Sequence, residues 1–153
     1  MPVPAEWDLT GKSAIITADR RGWTPFLASA LAEAGASVAV AGADGSDMEA
    51  AVSAVREQGG TALAVRTDVT SPPDVEGMVA RAVSELGRVD ILVNNARVEF
   101  GKPFTEVTET EWRTVMDFNV TSAFLCCRAV GRRMLEQGGG RIVNVSSGLA
   151  VRG

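Results

Sequence analysis

Five short, continuously apolar runs alternate along this chain with longer segments whose apolar residues recur at helical spacing. Such short runs suit strands that are buried on both faces, as they are in a parallel sheet. The intervening segments are long enough to return the chain across the sheet in right-handed crossovers. The sequence therefore predicts a single α/β domain over residues 1–153, with a doubly wound parallel sheet of about five strands. The strands are predicted at Ser13–Thr17, Ser37–Ala41, Thr61–Val65, Asp90–Asn94 and Arg141–Ser146.

The predicted helices are bounded by typical capping residues. Thr24 and Pro25 form a good helix start, a hydroxyl N-cap followed by proline at the first helical position, and Gly35 supplies the end. The apolar face of this helix is predicted to comprise Phe26, Leu27, Ala30, Leu31 and Ala34. The other helices are predicted at Met48–Gln58, from Ser71 through Leu86, at Glu109–Phe118 and at Thr121–Gln137.

The loops that follow the strands are predicted to form a small-molecule binding site. In doubly wound sheets, ligands sit outside the carboxyl ends of the strands, near the point where the strand order reverses. The first loop, between Thr17 and Thr24, leads into a helix N-terminus, where backbone N–H groups and the helix dipole favour a phosphate. The other loops of interest are 42–47, 68–70, 95–99 and 146–153.

Composition argues against several classes of function. The net charge is −4 and the arginines are scattered, which does not suit nucleic-acid binding. The first residues lack the pattern of a signal peptide and no apolar run could span a bilayer, so we expect a cytoplasmic protein without membrane contact. No metal site is expected, and the adjacent Cys126 and Cys127 are expected to remain free thiols. The sequence has no His and no Tyr, which removes the commonest general base and the usual phenolic acid.

Four motifs occur in a fixed order on the predicted strands and helices. They are Asp68-Val69 after the third strand, Asn94-Asn95-Ala96 at the end of the fourth, Phe118-Asn119-Val120, and Gly140–Ser147 with the sequence GRIVNVSS. In this combination the chain resembles the short-chain dehydrogenase/reductase family, and the resemblance runs from Leu9 to the last residue.

The resemblance implies a Rossmann-type fold and an NAD(P)(H)-dependent oxidoreductase that acts on carbonyl or hydroxyl substrates. It places Asn119 and Ser147 at catalytic positions. The residues that it assigns to cofactor binding are Thr17, Arg21, Gly22, Asp68, Val69, Asn95 and Ala96. Arg21 favours NADP over NAD, because its charge suits a 2′-phosphate.

The first loop departs from the family pattern Thr-Gly-x-x-x-Gly-x-Gly. It reads TADRRGWT from Thr17 to Thr24, so that Gly22 alone remains of the family's glycines. Glycine lets the backbone approach a phosphate and adopt positive φ, and Thr24 is expected to add bulk at the helix start. Arg97 replaces the glycine of Asn-Asn-Ala-Gly, where it could fill cofactor space or bind a different anion.

The family's Tyr-x-x-x-Lys motif lies downstream of its serine, whereas this sequence reaches Gly153 without any tyrosine. In the family's mechanism the tyrosine transfers a proton and the lysine lowers its pKa. Lys12 and Lys102 are not obvious substitutes. We therefore expect a fold that is incomplete relative to the family, and no standard hydride transfer from this chain alone.

Three functions stay open from the sequence. The first is a dinucleotide-binding oxidoreductase whose Tyr and Lys are lost or supplied by another chain. The second is a cofactor-independent cyclase, isomerase or dehydratase. In that case Arg20, Arg21, Trp23 and Arg97 would line the former cofactor cleft and hold an acidic or aromatic substrate. The third is a catalytically silent scaffold or partner of a full-length homologue.

Several polar residues have a structural alternative to these roles. Asp68 can cap the turn that follows it, and Asn94 and Asn119 can tie strand ends to a helix through their amides. Asp19 and Asp44 could serve as acids or bases at the carboxyl edge of the sheet, although solvated turn residues are the more frequent interpretation at such positions.

The last predicted strand is expected to form an exposed edge. Ile142, Val143 and Val145 would then lie uncovered near the helix Thr121–Gln137, and exposed edges and apolar patches favour association. We therefore expect a homo-oligomer, or a complex with a fuller member of the family.

Overall fold

A computed structural model of the chain describes residues 4–43, 46–99 and 101–147. Its strands are β1 (Ser13–Thr17), β2 (Ser37–Gly42), β3 (Ala62–Arg66), β4 (Ile91–Asn94) and β5 (Arg141–Asn144). All of them pair in parallel, in the order β3-β2-β1-β4-β5. The predicted α/β class and parallel sheet are confirmed.

Helices cover both faces of this sheet. They are α1 (Trp23–Glu33), α2 (Met48–Glu57), α3 (Pro72–Leu86), α4 (Glu109–Met116) and α5 (Ser122–Glu136), with short 3₁₀ turns at Ala5–Trp7 and Phe104–Glu106. One core forms between the sheet and the buried residues of α1 and α2, and includes Ile16. The other forms against α3 and α5, and includes Ile15. These adjacent residues of β1 are fully buried because alternate side chains of a strand point to opposite faces.

The strand order reverses at β1. From β1 the chain moves through β2 to β3, then crosses back to add β4 and β5 on the other side. Ile15 of β1 lies in register with Ala39 of β2 and with Leu92 of β4. The loops that leave β1 and β4 therefore diverge to opposite faces, which leaves a crevice at their carboxyl ends.

Helix α1 differs from its prediction in both its start and its buried face. The helix begins at Trp23, with Gly22 rather than Thr24 as N-cap. Its buried residues are Thr24 and Ala28, with Leu27 and Leu31 partly buried, whereas Phe26 is 72% exposed and Ala30 is also exposed. The predicted face was therefore wrong for Phe26 and Ala30. The reason is that the polar Thr24 side chain turns inward, where it forms hydrogen bonds with Asp19 and Asn95.

The predicted separation between the last two helices was also wrong. A π-helical turn at Asp117–Thr121 joins α4 and α5 into one continuous element. At its beginning, Thr108 and Glu111 form a reciprocal capping box. The π turn accommodates an extra residue without ending the helix, so residue spacing alone did not reveal the continuity.

Strand β5 lies at an edge of the sheet, and Ile142, Val143 and Val145 are exposed in the part of the chain that the structure describes. None of the helices within residues 4–43, 46–99 and 101–147 combines the length and the apolar character that a membrane crossing requires.

Candidate functional site

The carboxyl ends of β1 and β4 are joined by the hydroxyl group of Thr17. This buried Oγ1 accepts hydrogen bonds from the backbone N–H groups of Asn95 and Ala96, both at 2.9 Å. Thr17, Asn95 and Ala96 were all predicted to bind a cofactor, and the structure brings them together at the point where the strand order reverses. Their contacts with one another fix the two loops that flank the crevice.

Asp19 is part of the interior of the first loop. Only 3% of its surface is exposed, so the expectation of a solvated turn residue was wrong. Its backbone N–H donates to Thr24 Oγ1, and the Thr24 hydroxyl donates to Asp19 Oδ1, each at 3.1 Å. The second carboxylate oxygen, Oδ2, is buried and has no hydrogen-bond partner among the described residues. Asp44, predicted to behave like Asp19, lies outside the described residues.

The residues that replace glycines in the first loop point into the protein. Ala18 lies beneath β2, where a Cβ atom added to Gly42 would come within 2.9 Å of the Ala18 Cβ atom. Thr24 is fully buried, so its side chain fills space in the protein interior and does not cover the N-terminus of α1. Gly22 keeps a left-handed conformation with φ +80°, and a Cβ atom placed there would meet no atom within 4 Å. The space beside the Cα atom of Gly22 is therefore open.

Two carboxylates of the chain contact this loop. The backbone N–H of Gly22 donates to Asp47 Oδ2, which belongs to the N-cap residue of α2. The Arg21 guanidinium donates to Glu99 in the loop after β4. The first loop is thus linked to the start of α2 and to the loop after β4, both at the carboxyl edge of the sheet.

A cavity of about 260 Å³ lies beside these contacts. Its lining includes Thr17, Ala96, Arg97, Asn119 and Ser147. The structure therefore brings both predicted catalytic residues, Asn119 and Ser147, to the same cavity as Arg97. We call this space the Arg97 cavity.

Asn119 occupies the π turn, and its side-chain amide binds the backbone of Val98. Val98 N donates to Asn119 Oδ1 at 2.8 Å, and Asn119 Nδ2 donates to the Val98 carbonyl oxygen at 2.7 Å. Asn94 similarly joins β4 to β5, since its Nδ2 donates to Asn144 Oδ1 at 2.8 Å. Both amides perform the structural task that the sequence allowed for them.

Other predicted residues lie away from the Arg97 cavity. Asp68 is exposed and its Oδ1 accepts from Thr70 N at 2.9 Å, which forms the turn considered as an alternative to adenine binding. Val69 is buried in the core. Arg20 and Trp23 are exposed, Trp23 by 60%, and neither lines the cavity. The alternative cleft of Arg20, Trp23 and Arg97 therefore stays a prediction, with only Arg97 among the residues that line this cavity.

Neither of the two lysines lines the Arg97 cavity. Lys102 Nζ lies 2.6 Å from Glu111 Oε1, and this contact is the main reason that the pKa of Glu111 is lowered to about 2. Lys12 lies at the opposite edge of the sheet, 3.8 Å from Asp90 Oδ1. Within the described parts of the chain, no three His, Cys, Asp or Glu side chains form a group that could hold a metal ion.

Comparison with known proteins agrees with this geometry. The family model described as short chain dehydrogenase matches residues 12–153. The chain belongs to the short-chain dehydrogenase family. Among curated members, it is 33% identical over 141 residues to 5-keto-D-gluconate 5-reductase of Escherichia coli K12, covering 92% of this chain and 56% of that protein. It is 35% identical over 140 residues to 3-oxoacyl-[acyl-carrier-protein] reductase of Synechocystis, covering 91% of this chain and 57% of that protein.

Solved structures of the short-chain dehydrogenase family show the same fold. A short-chain type dehydrogenase/reductase from Mycobacterium marinum matches with a TM-score of 0.84 and 38% identity, covering 92% of this chain and 57% of that one. The chain thus spans little more than half the length of the relatives that it matches.

Sequence reasoning missed two contacts of this short-chain dehydrogenase site, those made by Asp47 and Glu99. A signal for Asp47 existed, because an acidic residue before the helix that follows β2 lies at the same sheet edge as the first loop. Glu99 is two residues beyond Arg97, and no pattern in the sequence indicated that it would pair with Arg21.

Proposed function

We propose that this chain forms the dinucleotide-binding part of an NAD(P)(H)-dependent oxidoreductase that acts on carbonyl or hydroxyl substrates. Family membership supports the proposal, and the curated relatives include reductases of keto compounds. Because the chain spans 56% of the Escherichia coli relative, the proposed activity is that of a whole protein of this family.

The observation that carries the proposal is the open space beside Gly22 at the N-terminus of α1. The backbone N–H groups of the first helical turn have no partner within their own helix, and together with the helix dipole they attract a phosphate. The left-handed φ of Gly22 and the open space beside its Cα atom would let a pyrophosphate come close once the Asp47 carboxylate, which accepts from Gly22 N, moves aside. The replacement of two family glycines does not close this approach, because Ala18 and Thr24 are buried.

In the proposed complex, Gly22 and the first turn of α1 hold the pyrophosphate and Asp68 lies toward the adenine. The bound nicotinamide would supply or accept the hydride.

The protein's own contribution to chemistry lies in the Arg97 cavity. Ser147 is proposed to orient the substrate carbonyl through its hydroxyl group, and Asn119 keeps the Val98 backbone in place. We propose NADPH as the tighter ligand, because Arg21 is exposed at the loop and could exchange Glu99 for a 2′-phosphate.

The test is a calorimetric titration of the chain with NADPH and with NADH, repeated for Gly22→Ala. We expect micromolar binding to the parent chain and at least a tenfold loss in Gly22→Ala, whose methyl group projects into the phosphate approach.

Gly87→Ala is the matched control. Gly87 has nearly the same φ, +82°, and equally open surroundings, but it lies at the end of α3 on the opposite edge of the sheet. Both variants should lose similar stability, whereas Gly87→Ala should retain the parent affinity. No binding of either dinucleotide to the parent chain would refute the proposed function.

A further inference from the structure

We infer that Arg97 binds a carboxylate group of the substrate, so that the proposed oxidoreductase acts on a small hydroxy acid or keto acid. This inference rests on the proposed function and adds the substrate class to it. Arg97 lies on a fixed backbone segment, carries an unneutralised charge and lines a small cavity.

The backbone on both sides of Arg97 is fixed. The preceding residue, Ala96, donates its N–H to Thr17 Oγ1 at 2.9 Å. The following residue, Val98, binds the Asn119 amide through both its N–H, at 2.8 Å, and its carbonyl oxygen, at 2.7 Å. A side chain on such a segment has little backbone entropy left to lose when it binds a ligand, which favours affinity.

The charge of Arg97 is not neutralised by the surrounding protein. Arg97 and Glu99 are the charged residues among those that line the cavity, and Glu99 is paired with Arg21. Arg97 itself is half-buried and forms no side-chain hydrogen bond or ion pair with any described residue. A guanidinium that is partly removed from water and lacks a partner favours an anionic ligand.

The shape of the guanidinium and the size of the cavity indicate which anion. The planar, forked donor of arginine matches the oxygens of a carboxylate or of a phosphate, and of these a carboxylate is the smaller group. The cavity of about 260 Å³ is smaller than the range of roughly 300–1,000 Å³ that is usual for drug-sized ligands. Ser147 lines the same cavity. One small molecule could place a carboxylate at Arg97 and a carbonyl or hydroxyl group beside Ser147.

The experiment follows the side-chain Nε–Hε resonance of Arg97 by NMR while ligands are added. The probes are 3-hydroxybutyrate and butane-1,3-diol, which share a carbon skeleton and differ in the carboxylate. The Nε–Hε signal that is missing from the spectrum of the Arg97→Gln variant is the signal of Arg97. We expect 3-hydroxybutyrate to shift this resonance and the diol to leave it in place, both with and without excess NADP⁺.

Affinity measurements on variants complete the test. Arg97→Gln should weaken 3-hydroxybutyrate binding at least tenfold, and Arg97→Lys should weaken it less because it keeps the charge. Arg132→Gln is the matched control, since Arg132 is an exposed arginine on α5 outside the cavity. This control should bind the probe as the parent chain does.

The outcomes separate this inference from the proposed function. A carboxylate-dependent shift of Arg97 supports the inference, even if calorimetry detects no dinucleotide binding and the proposed function fails. A shift caused by NADPH or NADH but not by 3-hydroxybutyrate would overturn the inference, because Arg97 would then bind a cofactor phosphate. An Arg97 resonance that responds to none of these ligands would also overturn it.

Discussion

Asp90 connects the starts of β1 and β5 with Arg88, at the sheet edge that lies opposite the candidate site. Its carboxylate accepts hydrogen bonds from Ser13 N at 3.0 Å and from Arg88 Nε at 2.7 Å. Its backbone carbonyl oxygen accepts from Arg141 N at the start of β5. Burial raises the pKa of Asp90, but the hydrogen bonds from Arg88 and Ser13 and the charge of Lys12 together hold it below its usual value.

This lowered pKa predicts a pH-dependent contribution to stability. A carboxylate whose pKa is lower in the folded state stabilises the fold above its unfolded pKa of about 3.9, and the effect is lost as the pH falls through the folded pKa. Asp90→Asn should therefore lower the free energy of unfolding by about 1–3 kcal/mol near neutral pH, and by less at about pH 2.5. Urea denaturation at both pH values measures the difference.

Glu85→Gln serves as the control for this prediction. Glu85 forms an exposed ion pair with Arg81 on α3, and such pairs contribute little. An Asp90→Asn penalty of the same size at both pH values would show that the carboxylate charge is not its source.

At the scale of single residues, the sequence indicated the carboxyl edge of the sheet as the place of the site, but not which side chains share a cavity or how they point. Arg97, Asn119 and Ser147 meet there because each follows a strand or lies in the helix beside it. Trp23 and Thr24 are neighbours in one short loop, yet one is exposed and the other fully buried. Loop spacing does not encode such directions, which depend here on the hydrogen bonds between Thr24, Asp19 and Asn95.

At the scale of elements, the ends of helices show where a glycine is required and where it is not. Gly35 follows α1 with φ +100°, and a Cβ atom there would lie 2.8 Å from Thr10 Oγ1 and 3.0 Å from Thr10 N. Gly77 lies within α3, where a Cβ atom would meet nothing within 4 Å.

These two glycines predict opposite effects of the same substitution. Gly35→Ala should destabilise the chain by about 2 kcal/mol or more, because the left-handed backbone and the contact with Thr10 both oppose a side chain. Gly77→Ala should stabilise it by about 0.5–1 kcal/mol, because alanine favours a helix over glycine. Thermal and urea unfolding of both variants provide the measurement. A stabilised Gly35→Ala variant would contradict the structure of this turn.

The predicted strands agree with the structure more closely than the predicted helix boundaries do. Continuous apolar runs located all five strands within one or two residues. Burial explains this for the central strands β2, β1 and β4, which leave no polar face, whereas β5 is an exposed edge strand. The π turn at Asp117–Thr121 and the start of α1 were not predicted. At both places a single polar residue makes a contact that is distant in sequence, Asn119 with Val98 and Thr24 with Asn95. The helix propensities of the residues in these two segments do not reveal such contacts.

At the scale of the whole molecule, the largest exposed apolar side chains include several on α5 and β5. Leu135 is 83% exposed on α5, and together with Ile142 of β5 it lines a groove. Val143 also lies exposed on this edge strand. We propose that a second copy of the chain covers this surface, since an open strand edge beside an apolar groove favours association.

The proposed association predicts a self-assembled state in solution. Light scattering at micromolar concentration should report a homo-oligomer, and Leu135→Lys combined with Val143→Lys should reduce it to a monomer. Phe26→Lys is the matched control, because Phe26 is 72% exposed on α1, which covers the other face of the sheet. A monomeric parent chain would refute the association, and a monomer produced by Phe26→Lys would place the contact elsewhere.

The π turn between α4 and α5 also determines which lengths of chain this fold tolerates. Removing one residue from Asp117–Thr121 would restore regular α-helical spacing and rotate everything beyond it by about 100° relative to α4. Either α4 would then leave its present position, or Leu125, Cys126, Ala129 and Val130, which are buried against the sheet, would turn away from the core. Insertions and deletions in descendants of this sequence should therefore avoid the π turn and accumulate at the surface loops.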